Sequence, residues 1–434
     1  MDSLLKSKYK VESLIIVSLP FLVIISRFML EVCLLMISIS FLFKVIRNKE
    51  YKIFNNYFVF FFLCFYSLLL LSFLFSNEKS NILSILLYFR FGLYVMATYY
   101  FLIKESYIIN FFLNSITILI LLLFFDGIFQ YYFGYNMVGL KNSEVHRITS
   151  FFGDEQILGA YTVRMFPFLL LLKEVTNRNS KIFNYLTSGA ILITPIIIFI
   201  SGERVAMILF ALMLSYYLVF FIKSKKFKFI YFYVVFVIFS SGTFLYTSDV
   251  YYDRYVTQTM NSLFDKEARG NKWFLPKEYQ DNNNFYFLSA QHQNFVYTAI
   301  NVFKKNKLLG TGPKSYRYIC SNKDYGLNDL SCNTHPHNYY IQLIIEMGLS
   351  GFIFLALIYL YIIYRSFINL IKLFKKKYCD LSEVIILGFY FTQLWPLMQH
   401  GNLFNNWNSI VLFLPMAFLL YLKKIHKNKA NINA

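Results

Sequence analysis

Acidic residues are scarce in this chain: 23 Asp and Glu stand against 42 Lys and Arg, and the four charged types together make only 15% of 434 residues. No paired acidic cluster and no HExxH motif offers a divalent cation its usual ligands, so neither a metal nor another cofactor is expected. "GTGP" at 310–313 follows no strand and lacks the full glycine pattern of a nucleotide loop. No credible Ser-His-Asp arrangement occurs. Internal repeats and low-complexity linkers are also lacking. The basic N-terminus has no small-x-small cleavage site after it, and its apolar run continues past Pro20 to Ile46, so these residues read as retained helices and not as a signal peptide.

What is abundant is apolar sequence. Hydrophobic residues make up 57% of the chain, with 51 Phe and 36 Tyr, far outside the usage of soluble domains. A bilayer core about 30 Å thick asks for roughly 20 apolar residues per helix. Runs of that kind predict twelve spans, near 11–26, 28–46, 54–76, 81–103, 107–132, 155–173, 182–200, 203–222, 227–247, 348–365, 382–400 and 404–422. The expected fold is therefore an all-α integral membrane protein.

The formal charge of +19 is topological. Lys44, Arg47 and Lys49, then Lys173 and Lys181, then Lys223 to Lys228, then Lys372 to Lys377 and finally Lys423 to Lys429 fall between alternate spans. The positive-inside rule makes that side the cytoplasm, with both termini inside, and removes the reason to expect nucleic acid.

Three parts follow: helices one to nine over 1–247, a large outward loop over 248–335, and a histidine helix with the last three spans over 336–434. The loop is long enough to be functional or disordered. Within it "AQHQNFVYTAINVFKKNKLLG", 290–310, carries Phe295, Tyr297, Ile300, Val302 and Phe303 at helical spacing. It fits either an amphipathic helix on the membrane surface or a packed helix of an outward subdomain. Cys320 and Cys332 share the loop, and an oxidising compartment would permit a disulfide that spacing alone does not decide.

"THPHNYYIQLIIEMGLSG", 334–351, predicts an outward helix that begins at Pro336, with Thr334 or His335 as its cap and His337 in its first turn. Gly348 and Gly351 mark its junction with the true span. A helix N-terminus disfavours imidazolium and keeps His337 able to accept a proton, while its free N–H groups suit a phosphate oxygen. The plain alternative is a capping histidine at the membrane interface. Arg204, Lys314, Arg317 and Arg147 lie at other outward helix starts or just before the histidines, and guanidinium forks suit a diphosphate. Arg90, Asp126, Arg164 and Glu346 lie in or near apolar helices, where charges pair or face a wet cavity.

His337-Asn338, nine residues, then Gly348-Leu349-Ser350-Gly351 resembles the H-N-x9-G-x-x-G signature of the O-antigen ligase and O-antigen polymerase superfamily. "SGERVAMIL", "RITSFFGDEQILGAY" and "LLGTGPKSYR" are similar to its other recurring stretches, so the resemblance covers roughly 145–360. It implies a GT-C-like fold of about twelve spans with one large periplasmic loop, in the bacterial inner membrane. It also implies metal-independent inverting transfer of a glycan from an undecaprenyl diphosphate donor at the periplasmic face. His337 and Arg204 would be catalytic; Arg317, Lys314, Arg147, His335 and Asn338 would bind substrate. A polymerase would use a lipid-linked repeat unit as acceptor and work with a chain-length regulator; a ligase would use lipid A-core. The reading leans to polymerase on "RITSFFGDEQILGAY" and the cysteine pair. From another class, a lipid-linked oligosaccharide flippase fits twelve spans and intramembrane charge, but not so large an outward loop.

Overall fold

A computed structural model describes residues 8–76, 82–142, 144, 147–175, 181–221, 227–264, 290–322, 324–326 and 331–432. The described residues are helical, with two isolated bridges, Tyr135–Lys141 and Glu144–Arg147, and no sheet. The principal helices are α1 (Lys10–Ile25), α2 (Arg27–Asn48), α3 (Tyr57–Leu74), α4 (Phe89–Lys104), α5 (Ile108–Phe133), α6 (Leu158–Val175) and α7 (Lys181–Ile200). They continue as α8 (Arg204–Phe221), α9 (Phe227–Thr247), α10 (Ala290–Lys305), α11 (Tyr339–Glu346), α12 (Gly348–Phe374), α13 (Leu381–Gln393) and α14 (Asn406–Ile432).

Every predicted span has a helix in its place, but the stricter count is smaller. Among the described residues eight helices are long and apolar enough to cross a membrane, nine if the pair Tyr231–Thr247 and Asp249–Asn261, bent by 109°, is one broken span. The chain is thus a multi-pass membrane protein. The remaining three helices fall short for physical reasons: α1 has 16 residues, α13 has 13, and α6 carries Arg164, Lys173 and Glu174. Helices enclosed by protein need not be apolar along their whole length; Ser382 through Tyr390 of α13 are all buried, as is Arg164.

Helix pairs α6–α7, α5–α7, α1–α5, α2–α4, α4–α14 and α6–α13 pack closely and share one core. Charge divides its two ends. At the basic end carboxylates meet lysine and arginine, as in Lys104–Glu50 at 2.5 Å and Arg365–Glu383 at 2.7 Å. The opposite end, called outer below, carries the loops that lead to the histidines. A second, smaller core lies there, where Phe295, Ala299 and Val302 of α10 meet Tyr316, Ile319, Cys320 and Ile345.

The apolar positions of 290–310 are only partly in this packing. Helix α10 stops at Lys305 and lies against α11, burying Asn294, Phe295, Thr298, Ala299 and Val302, while Ile300, placed on the predicted apolar face, is 43% exposed. Cys320 and Cys332 are bonded, with Cα atoms 5.0 Å apart. The central part of the large loop, 265–289, lies outside the described residues.

Candidate active site

The histidine helix begins later than Pro336 predicts. Asn338 is its cap, its Oδ1 accepting from the N–H groups of Tyr340 (2.9 Å) and Ile341 (3.1 Å), while its Nδ2 donates to the carbonyls of Pro396 (2.7 Å) and Met398 (2.9 Å). Two start signals compete three residues apart, and the asparagine wins because it satisfies two orphan donors where proline satisfies none. Its amide is then fully used in fixing the helix to the 394–405 loop. His337 sits just before the cap in the left-handed region, φ 54°.

The imidazole of His337 is held on several sides. His335 lies 4.1 Å away between ring centroids, His292 5.8 Å away, and the Phe295 ring is stacked at 5.7 Å. Asn333 Nδ2 is 3.0 Å from His337 Nε2, and the His337 carbonyl accepts from the His400 N–H at 2.7 Å. Burial pushes His337 below its ordinary range. Burial, together with the neighbouring His337, pushes His335 down to about 3 and His292 to about 4. The neutral form expected for His337 therefore follows from burial rather than from a helix dipole. The His335 ring meets the Thr334 hydroxyl at Nδ1, 2.9 Å, and the His400 backbone also bears on it.

The cations form two groups. Lys314, left-handed at φ 61°, stands before the short helix Tyr316–Ile319 that carries Arg317. Burial lowers Lys314, and the charges of Arg90 and Arg317 add to the effect; Arg317 also bears on His335. Their loop is held from below by Glu346 of α11. This carboxylate is wholly buried and receives the N–H groups of Lys314 and Tyr316, the latter at 3.4 Å, and the amide of Gln342 at 3.1 Å. Burial pushes it up to about 7.

The second group gathers at the start of α8. Arg204 is that helix's first residue and donates to Thr259 Oγ1 at 3.2 Å; the Arg147 charge bears on it, and Arg147 itself faces Glu144 at 3.6 Å. Arg254, which sequence reasoning passed over, joins them: it is buried, and its guanidinium donates to the Gly202 carbonyl at 3.1 Å and to Gln258 at 2.8 Å. Glu203 is a second omission. Its carboxylate accepts the N–H groups of Gly159 (2.6 Å) and Ala160 (3.2 Å) at the start of α6, and burial raises it to about 7 against the pull of those bonds and of Arg147 and Arg164.

Arg164 connects the groups. It acts on Glu203 on one side and on His400 on the other, donates to Gln393 at 2.8 Å and has its Cζ 5.3 Å from the Trp407 ring. His400, stacked on Tyr339 at 4.2 Å, is pushed by burial to about 3. The Gln393 backbone also bears on the His400 ring. The other intramembrane charges are paired: Arg90 with Glu31 at 3.1 Å, and Asp126 with the hydroxyl of Ser150 and the Met137 N–H, the latter at 2.8 Å.

Residues 189–356 match the family model Wzy_C, described as O-Antigen ligase. They form an O-antigen ligase family domain. The matched stretch begins inside α7 and ends inside α12, so it contains Arg204, Arg254, Lys314, Arg317, His335, His337 and Asn338 but not Arg147, Arg164 or His400. No curated protein matches the chain. The match makes this stretch similar to membrane enzymes of the O-antigen ligase type, and it covers well under half of the chain.

Proposed function

We propose that this protein is a surface-polysaccharide polymerase. It takes the growing glycan from undecaprenyl diphosphate and joins it to a lipid-linked repeat unit at the periplasmic face of the bacterial inner membrane, with a GT-C-like bundle of twelve spans. The observation that carries the reading is His337: a half-buried imidazole in a strained backbone conformation, beside a second histidine on which the Arg317 charge bears, inside the matched family stretch.

His337 acts as general base. Its Nε2 lies 3.0 Å from the Asn333 side-chain amide, and in the tautomer that leaves this nitrogen without a proton it accepts from that amide. An incoming acceptor hydroxyl takes the place of Asn333, gives its proton to Nε2 and attacks the anomeric carbon from the side opposite the diphosphate. The bond between that carbon and the diphosphate oxygen breaks with inversion. Arg204 and Arg317, with Lys314 and Arg147, receive the developing negative charge. No step calls for a metal. His335, its ring 4.1 Å from that of His337, orients the acceptor, and Asn338 positions the helix.

Because the family description names a ligase, the test needs two acceptors. Purified protein is given lipid diphosphate-linked repeat unit alone, with EDTA, beside His337→Ala and Arg204→Ala. A ladder of lengthening lipid-linked glycans, lost in both variants, is the expected result. Transfer only when lipid A-core is added would make the enzyme a ligase; a folded protein inactive with both acceptors would overturn the transferase reading and return the flippase.

A further inference from the structure

A cavity of about 210 Å³ opens at the outer end, where the turn between α1 and α2 meets the start of α6 and the start of α14. Ile24, Phe152, Ile157 and Trp407 supply apolar walls, and Arg27 and Glu155 stand at its rim. The two rim residues are ion-paired yet still 59% and 42% exposed. Trp407 itself is 9% exposed, and behind it lies Arg164, 7% exposed, whose Nη1 has no hydrogen-bond partner among the described residues. Through Arg164, and through the first turn of α6 that Glu203 caps, the cavity adjoins the candidate active site.

We infer that this cavity binds one pyranose ring of the acceptor glycan; the inference rests on the transfer function proposed above. A sugar ring has an apolar C–H face and a rim of hydroxyls. The small exposed part of Trp407 and the side chains of Ile24 and Ile157 suit the first, while the Arg27 donors and the Glu155 acceptor oxygens, on the more polar part of the lining, suit vicinal hydroxyls. Other occupants fit less well. A diphosphate would meet the Glu155 carboxylate, and a prenyl chain would strip water from an ion pair without offering it any hydrogen bond. Size agrees with a single ring. The cavity far exceeds the roughly 10–15 Å³ that a water needs but falls below the roughly 300 Å³ at which pockets for larger organic ligands begin.

The chain has three tryptophans, so the Trp273→Phe, Trp395→Phe protein leaves Trp407 as the reporter. It is titrated with the repeat-unit oligosaccharide freed of lipid and diphosphate, and separately with farnesyl diphosphate. A saturable change in Trp407 emission with the oligosaccharide is expected, weakened about tenfold by Glu155→Gln through loss of a charge-assisted hydrogen bond. In the transfer assay the same variant should raise KM for the acceptor about tenfold and leave kcat near wild type. If wild type transfers glycan but Trp407 is silent and the Glu155→Gln KM is unchanged, the subsite is overturned and the transferase stands. A response to farnesyl diphosphate alone makes the cavity a lipid site and also overturns it. A sugar response in a protein that transfers nothing sustains the subsite and removes the transferase reading instead.

Discussion

Replacing Gly348 by alanine should undock the cation-bearing loop from the histidine helix. Gly348 joins α11 to α12 at φ 63°, and a Cβ there would stand 2.5 Å from the Leu308 carbonyl carbon, 2.6 Å from its oxygen and 2.7 Å from the Gly310 nitrogen. These are backbone atoms, with no flexible side chain to give way. Gly310 faces the same junction, at φ 68°, and its own Cβ would meet Glu346, Gly348 and Ile345 backbone at 2.6 Å. The close approach is bonded by Thr311 N–H to Ile345 O (3.0 Å), Gly312 N–H to Glu346 O (2.9 Å), Leu349 N–H to Lys307 O (2.8 Å) and Ser350 N–H to Leu308 O (3.2 Å). A left-handed alanine costs about 1–2 kcal/mol and each bond pulled apart roughly 1 kcal/mol, so local docking loses on the order of 4–6 kcal/mol. Hydrogen exchange by mass spectrometry on the detergent-purified protein reads this directly at 310–317 and 345–351. Protection there should collapse and transfer should fall, whereas Gly189→Ala, whose Cβ meets nothing within 4 Å, should change neither. Gly310→Ala should act alike, and the double variant should cost far less than the sum, since both break one junction. Unchanged protection in Gly348→Ala would refute the reasoning.

Other perturbations test other contacts. His292, His335 and His400, pushed down to about 4, 3 and 3, stay neutral when folded, while in the unfolded chain they take protons below about 6.5; the unfolded state then binds more protons, so stability falls as pH drops below about 6.5. The unfolding midpoint should decline from pH 7 to pH 4.5, and less steeply in His400→Gln; an equal slope would count against buried neutral histidines. Activity has its own limb: burial lowers His337, so kcat/KM should fall on the acid side with a midpoint below the ordinary histidine value of about 6.5, and a midpoint at or above about 6.5 would remove His337 as the general base. Reducing Cys320–Cys332 opens a short loop ahead of the histidines and should cost the small outer core about 2–3 kcal/mol, seen as faster exchange at 316–320; no change would show that packing alone holds it. Glu346→Gln should be tolerated near neutral pH because the carboxyl is already pushed up to about 7, while Glu346→Ala leaves two N–H groups without their acceptor and should lose about 1–3 kcal/mol each of loop docking; equal activity in the two variants would sink this role.

Hydropathy made the helix positions legible because lipid-facing residues have a uniform solvent to satisfy. Helices α1, α6 and α13 fall short of the length and charge that a lipid-facing span needs, and there buried neighbours stand where lipid would. The predicted span at 203–222 set Arg204 at a helix start, and α8 begins at that residue. Around His337 local rules competed, and the winner was settled by the 394–405 loop, whose carbonyls hold the Asn338 amide from some 60 positions away in the chain. The same distance hid His400, Trp407 and the Gln342–Asn402 bond at 2.9 Å. No periodicity in 334–351 points to residues at 393–408, since such contacts are tertiary and leave no local pattern.

Two of the candidate site residues, His337 and Lys314, are among only five described non-glycine residues with positive φ. Left-handed backbone at a non-glycine position persists only where its surroundings over-determine it. Here they do: Asn338 anchors the peptide after His337, and Glu346 accepts the N–H of Lys314 itself. The motif His-Asn-x9-Gly-x-x-Gly can then be read as backbone engineering as much as chemistry. Asn338 stops the helix from extending back over His337, and Gly348 admits the 308–312 backbone that brings Lys314 and Arg317 to the same side. On this argument His337→Gln should keep the protection of 333–341 while losing transfer, and Asn338→Ala should lose both. The reverse pattern, in which His337→Gln unravels 333–341 and Asn338→Ala leaves it protected, would make the histidine the structural residue of the pair.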